Sequence, residues 1–294
     1  MPHLNRSGRR VAASVLGSVL LTACQPNAPT APAPKPATSP MPRHQPTALP
    51  SSTVTGPGLT PHQRLTTLAA NISTTPADGL AGLPYTYLHV QSWTRATNVI
   101  TRTDVRRWRR DADSSGREIT RRLPDVPRVA HSPKPDERER FAAARETTTR
   151  YAAGELPPYL PSPLPTDPGT LADMLAPRQR AGEPAYPRML AGGIVNVATT
   201  QYLDRGQRAT TLRVLASVPN VAYQGEMTDL AGRAGLGFTV TGDGSTLQIV
   251  VEARTGEVLA AEERLIGNRP GLFSSVLILE RGHTARDGAA SARP

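Results

Sequence analysis

Cysteine, lysine and aromatic side chains are all scarce in this chain, and each scarcity closes a class of function. One cysteine among 294 residues excludes a disulfide scaffold and any Cys-based metal cage. Two lysines stand against 32 arginines. Lys35 lies in a proline-rich stretch and Lys134 between two prolines, so neither suits a Ser-x-x-Lys pair or a buried Schiff base. Aromatic residues make up 4%, so two Trp, three Phe and seven Tyr must anchor the core, while 30 prolines crowd into segments that cannot pack. The folded part is therefore shorter than the chain. There is no Gly-x-Ser-x-Gly elbow, His-Glu-x-x-His pair, phosphate loop or dinucleotide fingerprint. His62, His89, His131 and His283 are scattered singly without ligand spacing and read as surface or core residues. No catalytic residue, metal site or cofactor is assigned, and the chain reads as a non-enzyme. A carboxylate pair from distant strands stays open as a hydrolase alternative.

What is present begins with an address. Arg6, Arg9 and Arg10 precede an apolar run, Val11 to Leu21, too short to span a bilayer core of about 30 Å. It ends in Leu21, Thr22, Ala23 and Cys24, which resembles the lipobox of bacterial lipoproteins: small residues admit the peptidase, and the thiol takes the diacylglyceryl group. Residues 1–23 are thus expected to be a signal peptide and Cys24 a lipidated N-terminus, palmitate included, on the outer face of a cell membrane. Two or three acyl chains, at about 0.8 kcal/mol per buried methylene, hold a protein durably. Removing three arginines leaves 31 basic against 24 acidic residues, a net charge of +7. Such a surface suits anionic headgroups or wall polymers, and nucleic acid is not an expected partner outdoors. From Gln25 to Pro61 there are 11 prolines in 37 residues, so residues 24–59 read as a disordered tether reaching up to ~115 Å at ~3.1 Å per residue.

Residues 60–285 read as a single α+β domain, followed by a disordered tail, 286–294. Thr60, Pro61 and Gln63 mark a helix start, with Leu65, Leu68, Ala69 and Ile72 at helical spacing. Tyr85 to Thr94, Asn98 to Asp111 and Arg117 to Leu123 alternate as strands and predict a three-stranded antiparallel meander. Ten prolines in residues 124–168 predict an irregular connection with at most one short helix, near Glu137 to Arg145. Three helices follow: one opened by Asp167-Pro168 and carrying Leu171, Met174 and Leu175, one near Pro187 to Val197, and one from about Asp204 to Ser217. After Pro219 the period becomes two, and five closely linked strands ending at Leu272 to Glu280 predict a second meander. The whole predicts a curved antiparallel sheet, half-barrel-like, with helices between its two parts.

Three residue groups bear on function. Asp111, Asp113 and Ser115 imitate the start of a calcium loop, but Arg122 stands at its closing position, so a hairpin turn is predicted. Arg106, Arg107, Arg109 and Arg110 put cations on both faces of an extended strand around Trp108, either a candidate anionic-headgroup patch or a strand end projecting into water. Tyr85, Tyr87, His89 and Trp93 share one strand face; with Trp108 of the next strand they either line a groove for an apolar ligand or form core.

Leu212 to Gly256, with Leu215-Ala216 before Val218-Pro219, the Asp229 to Gly235 turn and Thr255-Gly256 before Val258-Leu259, resembles the C-terminal module of a large uncharacterised family of membrane-anchored actinobacterial proteins. Leu164 to Leu171 and the segment around Trp108 to Gly116 fit the same pattern, so the resemblance spans roughly residues 60 to 280. Glu252 and Ala253 stand where that family commonly has Asp and Pro. The resemblance implies no particular activity. More remotely, the element order is similar to half-barrel lipoprotein carriers and sigma-factor regulatory lipoproteins, an analogy of architecture. The expected function is a lipid-anchored binding or sensing module for an apolar ligand or another envelope protein, with a lipid or lipoprotein carrier and a wall-active hydrolase as alternatives.

Overall fold

Helix starts in this protein are fixed by side chains that satisfy otherwise orphaned amides. The computed structural model describes residues 58–74, 82–267 and 269–289. Thr60 caps α1 (Pro61–Ser73) and Asp204 caps α5 (Arg205–Ser217), each in a reciprocal capping box with a glutamine three residues on, Gln63 and Gln207. Asp167 caps α3 (Pro168–Leu175) by accepting from the Thr170 amide. Leu171 and Leu175 of α3 point inward, but Met174 is 37% exposed. Helix α4 spans Tyr186–Thr200, one residue earlier and three later than its sequence pattern predicts, with Gly192 and Gly193 accommodated inside it. The predicted signal peptide, Leu21 to Cys24 and most of the tether lie outside the described residues.

All pairings in the sheet are antiparallel, and it is an open, curved sheet, so the fold is α+β. The first meander comprises β1 (Tyr85–Ala96), β2 (Val99–Arg110) and β3 (Gly116–Val126). A further strand, β4 (Glu146–Tyr151), then pairs with β3 inside the connection expected to be irregular. Its three consecutive threonines favour extended backbone, but almost every side chain is exposed, so it lacks the alternation that reveals a half-buried strand. The same connection holds α2 (Pro135–Arg140) and a 3₁₀ turn, Phe141–Ala143, where the sequence predicts at most one short helix near Glu137 to Arg145.

The second meander is β5 (Ala222–Thr228), β6 (Ala234–Gly242), β7 (Ser245–Val251), β8 (Val258–Leu265) and β9 (Gly271–Thr284). Strand β9 runs four residues beyond its predicted end because it finds a long partner in β1. Tyr85 sits opposite Thr284 and Thr94 opposite Ser274, with a bulge after His89. The order is therefore β4-β3-β2-β1-β9-β8-β7-β6-β5, in which the first and last strands form the central seam.

The two sheet faces have different covers. On one, α1, α3, α4 and α5 bury Leu65, Leu68, Ile72, Ile194, Leu212 and Leu215 against Leu236, Phe238, Ile249, Val251 and Ile278. Gly256 permits the close approach of α1 and α5: at φ +69° a Cβ would stand 2.2 Å from Ile72 Cδ1 and 2.9 Å from Leu212 Cδ1. On the other face, Trp93, Ile100, Leu123, Leu272 and Leu277 form a smaller core closed by Phe141 from the α2 connection. Trp93 and Phe141 meet edge to face at 5.9 Å between centroids.

Candidate functional site

Strand alternation on the seam sorts the sequence-derived candidates onto opposite faces. Tyr85, Tyr87, His89 and Trp93 do share a face, joined there by Arg106, Trp108 and Arg110 of β2. Tyr87 and Trp108 are cross-strand partners with rings 5.0 Å apart, and they and Trp93 are at most 4% exposed. Trp108 does not project into water: β2 is a central strand, and Trp108 Nε1 donates to the Ala289 carbonyl at 2.8 Å. The chain is thus still seated on the sheet at residue 289, four residues past the domain end expected from the sequence.

This face carries two buried polar knots. In one, Asp104 Oδ2 lies 2.8 Å from both His89 Nε2 and Gln91 Nε2. Burial pushes the Asp104 carboxyl upward, but the bonds from His89 and Gln91 outweigh it and hold the group below the usual carboxylate range. In the other, Glu137 of α2 is 2% exposed and accepts from Trp93 Nε1 at 2.9 Å and Arg102 at 3.1 Å, with His131 Nε2 at 2.9 Å. Burial again acts upward on Glu137, and the bonds from Trp93, Arg102 and His131 bring it below its ordinary value. Both knots clamp the meander and its connection.

The four arginines do not form one patch. Arg107 pairs with Glu118 at 2.9 Å and Arg110 with Asp113 at 3.4 Å. Arg106 lies on the Trp108 face, whereas Arg109 is on the opposite face and buried, 7% exposed. Asp113 Oδ1 accepts from the amide and hydroxyl of Ser115, which makes the Asp111–Ser115 segment the β2–β3 hairpin turn.

Arg109 leads to an open pocket of about 700 Å³ where the seam meets the start of α5. Register places Arg109 of β2, Thr86 of β1 and His283 of β9 side by side across three strands, and all three line the pocket. Asp111 stands at the end of this row. It takes the Thr86 hydroxyl at 2.5 Å and lies 3.5 Å from Arg109 and 3.8 Å from His283, whose ring packs edge-on against Tyr202 at 4.3 Å. The opposite wall is Gln201, Tyr202 and the first turn of α5, and Leu83 and Leu164 add apolar surface. Burial lowers the Arg109 pKa, only partly offset by Asp111.

Sequence reasoning missed this site. In the sequence Arg109 stands among three other arginines, and His283 has no visible companion because the pairing of β9 with β1 joins segments some 200 residues apart. The one signal available was the two-residue period, which separates Arg109 from Trp108.

A second, smaller pocket of about 210 Å³ lies on the other face between Pro135 and the β5–β9 strands, lined by Met227, Val250 and Leu277. Among the described residues no group of three or more His, Cys, Asp or Glu is arranged to hold a metal ion, and no helix is long and apolar enough to cross a membrane. No protein-family model matches the chain, and no curated protein matches it.

Proposed function

We propose that this chain is a lipid-anchored, extracytoplasmic and non-catalytic binding module of the cell envelope whose ligand site is the seam pocket. The observation that carries the reading is the pocket itself: an open 700 Å³ cavity into which a buried arginine, a threonine and a histidine are brought by the central strand pairing. Leu21-Thr22-Ala23-Cys24 supplies the anchor in this reading, and the Pro-rich segment the distance from the bilayer.

Binding is favoured over hydrolysis because the two carboxylates of the pocket have structural duties. Asp111 holds the Thr86 hydroxyl, and Asp204 caps α5 through the Gln207 amide at 2.8 Å. A module with a discrete pocket is favoured over a wide carrier groove because, away from the seam pocket, the helix-covered face is filled by buried side chains from both layers.

The test is native mass spectrometry of the protein taken from its own membrane, beside a Cys24→Ser variant. A diacylglyceryl mass on Cys24 and a copurifying small molecule that the pocket variant Thr166→Trp excludes are expected. Unchanged mass and membrane fractionation in Cys24→Ser would refute the anchor, and absence of any bound molecule would refute the binding role.

A further inference from the structure

The charge balance around the seam pocket narrows the ligand. Arg109 presents a guanidinium with five N–H donors that stays charged at any physiological pH. Among the described residues its polar partners are the Thr200 carbonyl at 3.3 Å and Asp111 at 3.5 Å, both at the long end of hydrogen bonding. The Asp111 side chain is 46% exposed and already engaged by Thr86, so its charge is partly given to water. A buried cation so loosely matched is costly unless something else completes it.

The surroundings lean the same way. Arg205, Gly206 and Gln207 of the first α5 turn line the pocket, which places the positive end of a 13-residue helix there. Asp111 and Asp204 stand in the same lining, and they oppose an incoming group that carries two or more negative charges. Apolar surface from Leu83, Leu164 and Tyr202 flanks the polar row.

We infer that the pocket binds an amphiphilic monoanion, a carboxylic acid whose oxyanion is held by the Arg109 fork and whose apolar part lies against Leu83, Leu164 and Tyr202. This rests on the binding-module reading above and sharpens it to one chemical class.

Equilibrium dialysis of radiolabelled octanoate against the full-length protein in detergent, with a detergent-only control, tests it. Octanol and octyl phosphate serve as the neutral and dianionic comparisons. Saturable one-to-one octanoate binding is expected, weakened on the order of ten- to a hundredfold in Arg109→Gln, the loss of a charge-assisted hydrogen-bond pair. Thr166→Trp, at an exposed position on the lining, is expected to abolish it with the fold intact. Octanol and octyl phosphate should bind at least tenfold more weakly than octanoate, a comparison made on the unaltered protein and so independent of whether Arg109→Gln folds. Equal binding of octanol would overturn the inference while leaving a binding module standing. So would octanoate binding that survives Thr166→Trp. No binding of any of the three, with no copurifying molecule, would overturn both readings.

Discussion

At the scale of single residues, Glu137 fastens the α2 connection to the sheet by meeting three donors at once, Trp93, Arg102 and His131. Arg102 is 7% exposed, so Glu137→Gln leaves a guanidinium buried without its anion. The expected cost is about 3 kcal/mol, read as a lower urea midpoint with an unchanged slope. Acid should act through the same group. The folded Glu137 and Asp104 carboxyls both titrate below their ordinary values. Their stabilisation is therefore complete above the unfolded carboxylate range, about pH 4, and is lost as pH falls through the depressed folded values. Urea midpoints measured at pH 5 and pH 3 should drop markedly, and the drop should be smaller in Glu137→Gln. An equal drop in the two proteins would show that the loss arises elsewhere.

At the scale of elements, what the sequence discloses depends on whether the governing contact is local. The starts of α1, α3 and α5 were legible because Thr60, Asp167 and Asp204 bond to amides three residues away. Strands β6 and β7 were legible because Leu236, Phe238 and Val240, and Leu247 and Ile249, enter the helix-covered core at two-residue intervals. Strand β4 was not: its side chains are exposed on an edge, and only its ladder to β3 makes it a strand. Gly256 shows the same limit in a turn, since nothing local to Thr255-Gly256 reveals the pressure of Ile72 and Leu212 on it. Gly256→Ala is expected to combine backbone strain with overpacking at about 2 to 4 kcal/mol, lowering Tm by about 5 to 15 °C. Gly225, at φ +93° with no atom within 4 Å of a built Cβ, provides the control. Gly225→Ala should suffer the strain alone, about 1 kcal/mol, so a melting point below that of Gly256→Ala would contradict the packing argument.

At the scale of the whole described fold, the two meanders depend on one joint. Strand β1 carries β2, β3 and β4 outward on one side, and β9 carries β8 through β5 on the other. The joint is ten paired positions long, interrupted by a single bulge, and is packed on both faces, by Val90 and Ile278 beneath the helices and by Trp93 and Leu277 beneath Phe141. Cooperative opening of a sheet begins where amides have one neighbour and little cover, and reaches doubly covered central strands only when the structure unfolds globally. Amides of β1 and β9 should therefore exchange with solvent most slowly, close to the global unfolding rate, while β4 and β5 exchange first. Hydrogen exchange followed by mass spectrometry resolves these segments. Because Thr86 and His283 are held side by side only by this joint, bound octanoate should slow exchange at the Tyr85 and Thr284 end of the seam before it changes anything at Thr94 and Ser274. Protection that instead begins at β5, or a seam that exchanges before the edges, would mean that the meanders fold as separate units and that the pocket is assembled by something other than their shared strands.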